Sequence, residues 1–111
     1  MPIQNERVRE HVFLQAMLAD RYFPKHLVAK GQDLLRLLAE RIESEAPVGK
    51  AVHELTRATA QAFNELQEEF LAAGSEIETA ARDAIGSEVE FILQAYGYAV
   101  DIEEAIANRD W

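Results

Sequence analysis

Glu88 is the residue of this chain best placed to do chemistry. On a helical wheel started at Ile77, with about 100° per residue, it falls near 20°, among Ile77, Ala81, Ala84, Ile92 and Ala95. A lone carboxylate on the apolar side of a helix has altered acidity, or it needs a Lys, Arg or hydroxyl partner. It could also be a ligand, or an acid in a pocket. Two structural readings compete with that. The helix could break at Gly86, which would leave Glu88 near a helix N-terminus. Alternatively the carboxylate pairs with Lys30 or Arg41, at the margin of an earlier helix.

A second constellation is Glu65, Glu68 and Glu69, with Asp83 further on. Like charges at i, i+3 and i, i+4 each cost a few tenths of a kcal/mol on an isolated helix. A basic partner would offset that cost, whereas a solvated helix face would simply bear it. Metal chemistry is disfavoured by the spacing. A carboxylate-bridged centre in a helical bundle needs Glu-x-x-His on two helices, and Val8, Phe23 and Lys50 precede His11, His26 and His53 by three. His53-Glu54 begins like a zinc-protease motif, but Arg57 stands where the second His is required. With no Cys, thiolate nucleophiles and cysteine-held metals are excluded as well. No metal and no cofactor are expected.

The charge is unevenly placed. Residues 1–46 carry seven Lys/Arg and seven Asp/Glu, and residues 47–111 hold the whole formal charge of −9. From Gln61 to Glu104 there are eleven acids and one base, Arg82. That balance argues against binding nucleic acid through its phosphates, or an anionic lipid surface. No run of about 18 apolar residues marks a membrane span. Met1 to Glu10 has no apolar stretch of the secretory kind, so a cytoplasmic protein is expected.

The elements that must position these residues are helices. Pro24, Pro47, Gly74 and Gly97 divide the 111 residues into segments of helical period. The first helix, about 6–20, is apolar around more than half its circumference, which offers a broad surface for burial or for a homodimer. The second, about 24–44, carries a stripe of Leu27, Gly31, Leu34, Leu35, Leu38 and Ile42, where Gly31 would let a neighbour approach closely. The third, about 50–73, has an inner face of Val52, Leu55, Thr59, Ala62, Phe63, Leu66, Phe70 and Ala73, with Asn64 and Glu68 on the other side. The fourth, about 76–96, opens with a Ser75/Glu78 capping box and keeps its period across Gly86, which faces outward. A short helix, about 102–108, opens at Asp101, and Trp111 is expected to dock onto the bundle. The fold class is all-α: an up-down four-helix bundle with a short fifth helix, in a single domain spanning 1–111.

The blocks Tyr22-Phe23-Pro24-Lys25, Phe63-Asn64-Glu65-Leu66-Gln67-Glu68-Glu69-Phe70, Gly74-Ser75-Glu76-Ile77-Glu78 and Arg109-Asp110-Trp111 are similar to those of a family of small bacterial proteins catalogued as a domain of unknown function. The resemblance covers nearly the whole chain, and no block is a catalytic signature. It implies a bacterial, stand-alone helical protein, with no activity and no site residue to carry over.

The resulting expectation is a non-enzymatic interaction module. Glu65, Glu68, Glu69 and Asp83 would meet a basic protein partner. The alternative is a helical bundle that binds a small molecule or metal, with Glu88 as an internal carboxylate.

Overall fold

A computed structural model describes residues 3–111. Among them there are six helices and no strand, so the chain is all-α. They are α1 (Glu6–Glu10), α2 (Gln15–Ala19), α3 (Lys25–Glu45), α4 (Lys50–Ala72), α5 (Thr79–Ala95) and α6 (Ile102–Ala105). No helix among the described residues is long and apolar enough to cross a membrane.

The frame is the α3–α4 pair. Its helices are joined by the short turn through Pro47 and Gly49, and they run antiparallel. Leu35, Leu38, Ala39 and Ile42 of α3 are buried with Val52, Leu55, Phe63, Leu66 and Phe70 of α4. Gly31 lies where α2 meets this pair. A Cβ there would stand 3.0 Å from Leu14 Cδ1 and 3.2 Å from Phe63 Cε1. The missing side chain therefore lets two large apolar groups close over α3, which outweighs the roughly 1 kcal/mol that glycine costs in a helix. α5 adds Ala81, Ile85, Val89, Ile92 and Leu93 to the same core. Both α4 and α5 end in the same way. Gly74 and Gly97 take φ of +79° and +82°. The amides of Ser75 and Tyr98 then bond back to Phe70 and Leu93, each at 2.8 Å, and satisfy carbonyls at the helix ends.

The N-terminal segment departs from the expected helix over 6–20. It is two five-residue helices separated by a kink at residues 11–14. The reason lies in what must be buried. Val8 and Met17 are nine residues apart, about 180° on a straight helix, yet both are buried. One straight helix could not turn both to the core, and breaking it at Leu14 does. Leu14 pays with a left-handed backbone, φ 56°, which costs a side-chain-bearing residue roughly 1–2 kcal/mol. The apolar surface that suggested a dimer thus faces inward. Val8, Phe13, Leu14 and Met17 are all buried, and of the large apolar residues in this segment Val12 is the exposed one.

Two further expectations are corrected and one is refined. The capping box at Ser75 does not form, because Ser75 Oγ donates to the Tyr22 carbonyl, 53 residues away, at 3.1 Å. Glu78 is itself the N-cap of α5, accepting from the Ala81 amide at 3.3 Å. Gly86 faces away from the core as expected, but into a cleft beside α6 rather than onto a bare helix surface: it is half-buried, and a Cβ built on it would lie 3.9 Å from Ile106 Cδ1. Asn64, placed on the outer side by the wheel, is buried, because the C-terminal tail lies over that side of α4.

Candidate functional site

α5 runs unbroken through Gly86, so Glu88 is carried on the inner side of a continuous helix. Its partner is neither Lys30 nor Arg41. Lys30 bonds Glu69, and Arg41 bonds Glu45 one turn along α3. The Glu88 carboxylate instead takes His11 Nε2 at 2.9 and 3.1 Å and the Leu14 backbone amide at 2.7 Å. A carboxylate only accepts, so Nε2 carries the proton. The His11 ring is stacked on Phe91, with centroids 4.2 Å apart, and is edge-on to Phe13 at 4.9 Å. Gln32 Nε2 donates to the Phe13 carbonyl at 2.8 Å from below. The Leu14 amide and the Phe13 carbonyl, two polar groups of the kink, are thus satisfied by side chains of α5 and α3.

Glu43, which the sequence did not single out, makes a second clamp one end further along. Its carboxylate accepts from the backbone amides of Gln4 (2.8 Å) and Asn5 (2.9 Å) and from the Tyr96 hydroxyl. Asn5 continues the chain of bonds. It caps α1 through the Val8 amide, and its side-chain amide donates to the Ala95 carbonyl at 2.9 Å. Burial by itself raises the Glu43 carboxyl, but the bonds from Tyr96, Gln4 and Asn5 outweigh it and hold the group below its ordinary value. Burial, and then the bond to Glu43 and its charge, push the Tyr96 phenol well above its ordinary value. The folded state thus binds the Glu43 proton more weakly than the unfolded chain does. The stability from this clamp is complete above about pH 5 and is lost as pH falls below the ordinary carboxylate range. For Tyr96 the sign is reversed: its contribution is complete below about pH 10 and falls as pH rises beyond that. Urea unfolding followed by circular dichroism between pH 7 and pH 3 should show a smaller acid-side loss in Glu43→Gln than in the parent. Identical pH profiles would mean that Glu43 does not carry this linkage.

The acidic residues fall in two places. Glu65, Glu68 and Glu69 are exposed on α4. Glu65 and Glu69 border a groove between α3 and α4 of about 370 Å³, together with Lys30, Asp33, Leu34 and Leu66. Glu69 is ion-paired with Lys30 there, on a surface where both side chains are about half exposed. Asp83 is exposed on α5 and lines a separate cleft, between α5 and α6, that also contains Arg82 and Arg109. The four carboxylates grouped by the sequence do not share one pocket.

The C-terminal tail is tied down as firmly as the N-terminal segment. Asn64 Nδ2 donates to the Asn108 carbonyl at 3.0 Å, and Asn64 Oδ1 accepts from the Asp110 amide at 2.7 Å. Asn108 in turn donates to the Arg57 carbonyl at 3.0 Å. Trp111 is 5% exposed, edge-on to Phe63, with Nε1 donating to the Ala60 carbonyl at 3.4 Å.

This arrangement defines an all-α protein whose two terminal segments are held by polar side chains of its long helices, with open grooves to either side of α4 and α5. The chain belongs to the family of unknown function DUF5713, whose family model matches residues 7–111. No curated protein and no solved structure matches it.

Proposed function

We propose that the protein is a non-enzymatic interaction module of the cytoplasm that holds a basic amphipathic helix of a partner protein in the α3–α4 groove. The observation that carries this reading is the groove itself, with Leu34, Ala62 and Leu66 as its floor and Asp33, Glu65 and Glu69 on its rim. The apolar floor continues past Leu37, which is 51% exposed, toward Ala58 and Leu55. A helix laid along two others buries one apolar stripe and presents its flanks to the rim. Lys and Arg on those flanks would meet Glu65 and Glu69, and Glu68 beside them would extend the field. Glu65 and Glu68 have no ion-pair partner among the described residues, so both charges are free to serve a partner. The Lys30–Glu69 pair offers little resistance, because ion pairs at exposed positions are worth roughly 0–1 kcal/mol.

The reading for Glu88 is structural: His11 and Leu14 occupy both of its oxygens. Electrostatic attraction of this kind speeds association and is screened by salt. Capture of a binding protein on the immobilised chain should be strong at about 50 mM salt and weak at about 500 mM. Reversal of Glu65, Glu68 and Glu69 to Lys should abolish it, and Leu37→Asp should weaken it. Equal recovery after the charge reversal would rule out the acidic rim as the binding surface.

A further inference from the structure

Among the described residues two buried side-chain polar atoms lack a hydrogen-bond partner, Arg82 Nε and Arg109 Nε. Both arginines line the same cleft, of about 400 Å³, between α5 and the α6 region. A buried donor without an acceptor is costly, because it has given up water and gained nothing in return. Two of them on residues that line one cleft is a coincidence that protein interiors rarely tolerate. Arg82 has no ion-pair partner among the described residues, although Asp83 and Glu90 lie on the same cleft. Arg109 is held from two sides. Its Nη1 is 3.2 Å from Glu103 Oε2, and its Cζ lies 5.7 Å from the centre of the Trp111 ring.

The floor of the cleft explains a residue that otherwise has no reason to be there. Gly86 sits in the middle of α5, where glycine is less favourable than alanine. A Cβ at that point would meet only Ile106 Cδ1, at an ordinary contact distance of 3.9 Å. Alanine would therefore fit. A longer side chain would project into the cleft between Arg82 and Glu90, which stand one turn to either side of Gly86. The glycine keeps the space open rather than permitting a turn. The cleft is within the size range of small-molecule sites.

The geometry points to a binding site for a small zwitterion with an apolar body, an aliphatic α-amino acid. Its carboxylate would bridge Arg82 and Arg109, for which guanidinium groups are suited by their paired donors. Its ammonium would face the carboxylates of Glu90 and Asp83. Its side chain would lie against Ile102 and Ile106. A simple anion is disfavoured by the three acids of the cleft, Asp83, Glu90 and Glu103. A simple cation is disfavoured by the two arginines. The Nε–H groups are covered, so the guanidinium groups must turn toward the ligand, and binding brings a local rearrangement of Arg82 and Arg109.

The test is titration of ¹⁵N-labelled protein with L-leucine, with 4-methylpentanoate and 3-methylbutylamine as probes lacking the amine and the carboxylate. Leucine is expected to shift the Nε–H resonances of Arg82 and Arg109 and the amide of Gly86. The carboxylate probe should bind about tenfold more weakly, the loss expected of one charge-assisted contact, and the amine should not bind. Gly86→Leu should abolish the shifts while the thermal unfolding temperature stays near that of the parent, and Arg82→Gln should weaken binding by about tenfold. Gly86→Ala should fold and bind as the parent does. No shift with leucine up to about 10 mM would overturn the proposal. So would binding of the carboxylate probe as tight as that of leucine, or leucine shifts that survive Gly86→Leu.

Discussion

Glu88→Ala is expected to destabilise the fold by about 2–4 kcal/mol, a large share of what a domain of this size has to lose. The carboxylate accepts from the Leu14 amide at 2.7 Å and from His11 Nε2 at 2.9 Å. Leu14 is buried, with an exposure of 2%, so its amide would be left without a partner in the interior, at a cost of roughly 1–3 kcal/mol. The left-handed backbone at Leu14 adds to the effect. Its strain persists only while the surroundings hold it, and Glu88 is one of the groups that do. Gln32, at the Phe13 carbonyl, is another. Glu88→Gln keeps one acceptor oxygen and should lose about half as much. Urea unfolding gives the magnitude. Hydrogen exchange then tests the mechanism, because the Leu14 amide should lose its protection before the amides of α3 and α4 do. If Glu88→Ala unfolds within about 0.5 kcal/mol of the parent, the clamp contributes nothing of consequence.

The second large effect is expected at Trp111, where alanine should cost about 3–5 kcal/mol. The indole is almost fully buried, and Phe63 beneath it is 1% exposed. Removing the ring uncovers Phe63 together with the stretch of α4 around Ala60. It also takes away the aromatic surface on which Arg109 rests, with its Cζ 5.7 Å from the ring centre. The neighbouring bonds would weaken as a group: Asn64 to Asn108 and Asp110, and Asn108 to Arg57. Trp111 is the single tryptophan of the chain, so fluorescence reports on this site alone. The folded protein should emit as a buried indole, and the emission should move to longer wavelength in step with the loss of circular dichroism. An exposed-indole spectrum for the folded protein would show that the tail is not docked.

The long helices were legible because their apolar residues recur on one side only. Leu27, Leu35, Leu38 and Ile42 in α3, and Val52, Leu55, Phe63, Leu66 and Phe70 in α4, are buried on the faces that their spacing defines. The first segment was not legible for the opposite reason. Apolar residues all round a helix say that every side must be covered, but not whether the chain does so by burial on all sides or by breaking. No glycine or proline marks the break at residues 11–14. Its determinants, Glu88 and Gln32, lie 74 and 19 residues away. Asn64 failed in the same manner, since its polarity fits an outer position until the tail is laid across it. For the candidate sites, the sequence showed Arg82 as the one base in an acidic stretch and Gly86 as a glycine within a helical period. Only the structure places Arg109 and Ile106 opposite them. The partners of Glu43 were beyond reach, because two of the three are backbone amides, which no residue type reveals.

Both terminal segments are fastened to the long helices by contacts between residues distant in sequence. α3 and α4 are sequence neighbours joined by a short turn, so their pairing closes only a small loop and can form early. The fastenings at Glu43, Glu88, Asn64 and Trp111 join residues 38 to 77 positions apart. Contacts of that kind are expected to form after the α3–α4 frame, because closing a longer loop costs more entropy. Their loss should therefore appear mainly as faster unfolding, with the refolding rate nearly unchanged. The lifetime of the folded molecule is then set at its ends, while the speed with which it is reached is set in its middle.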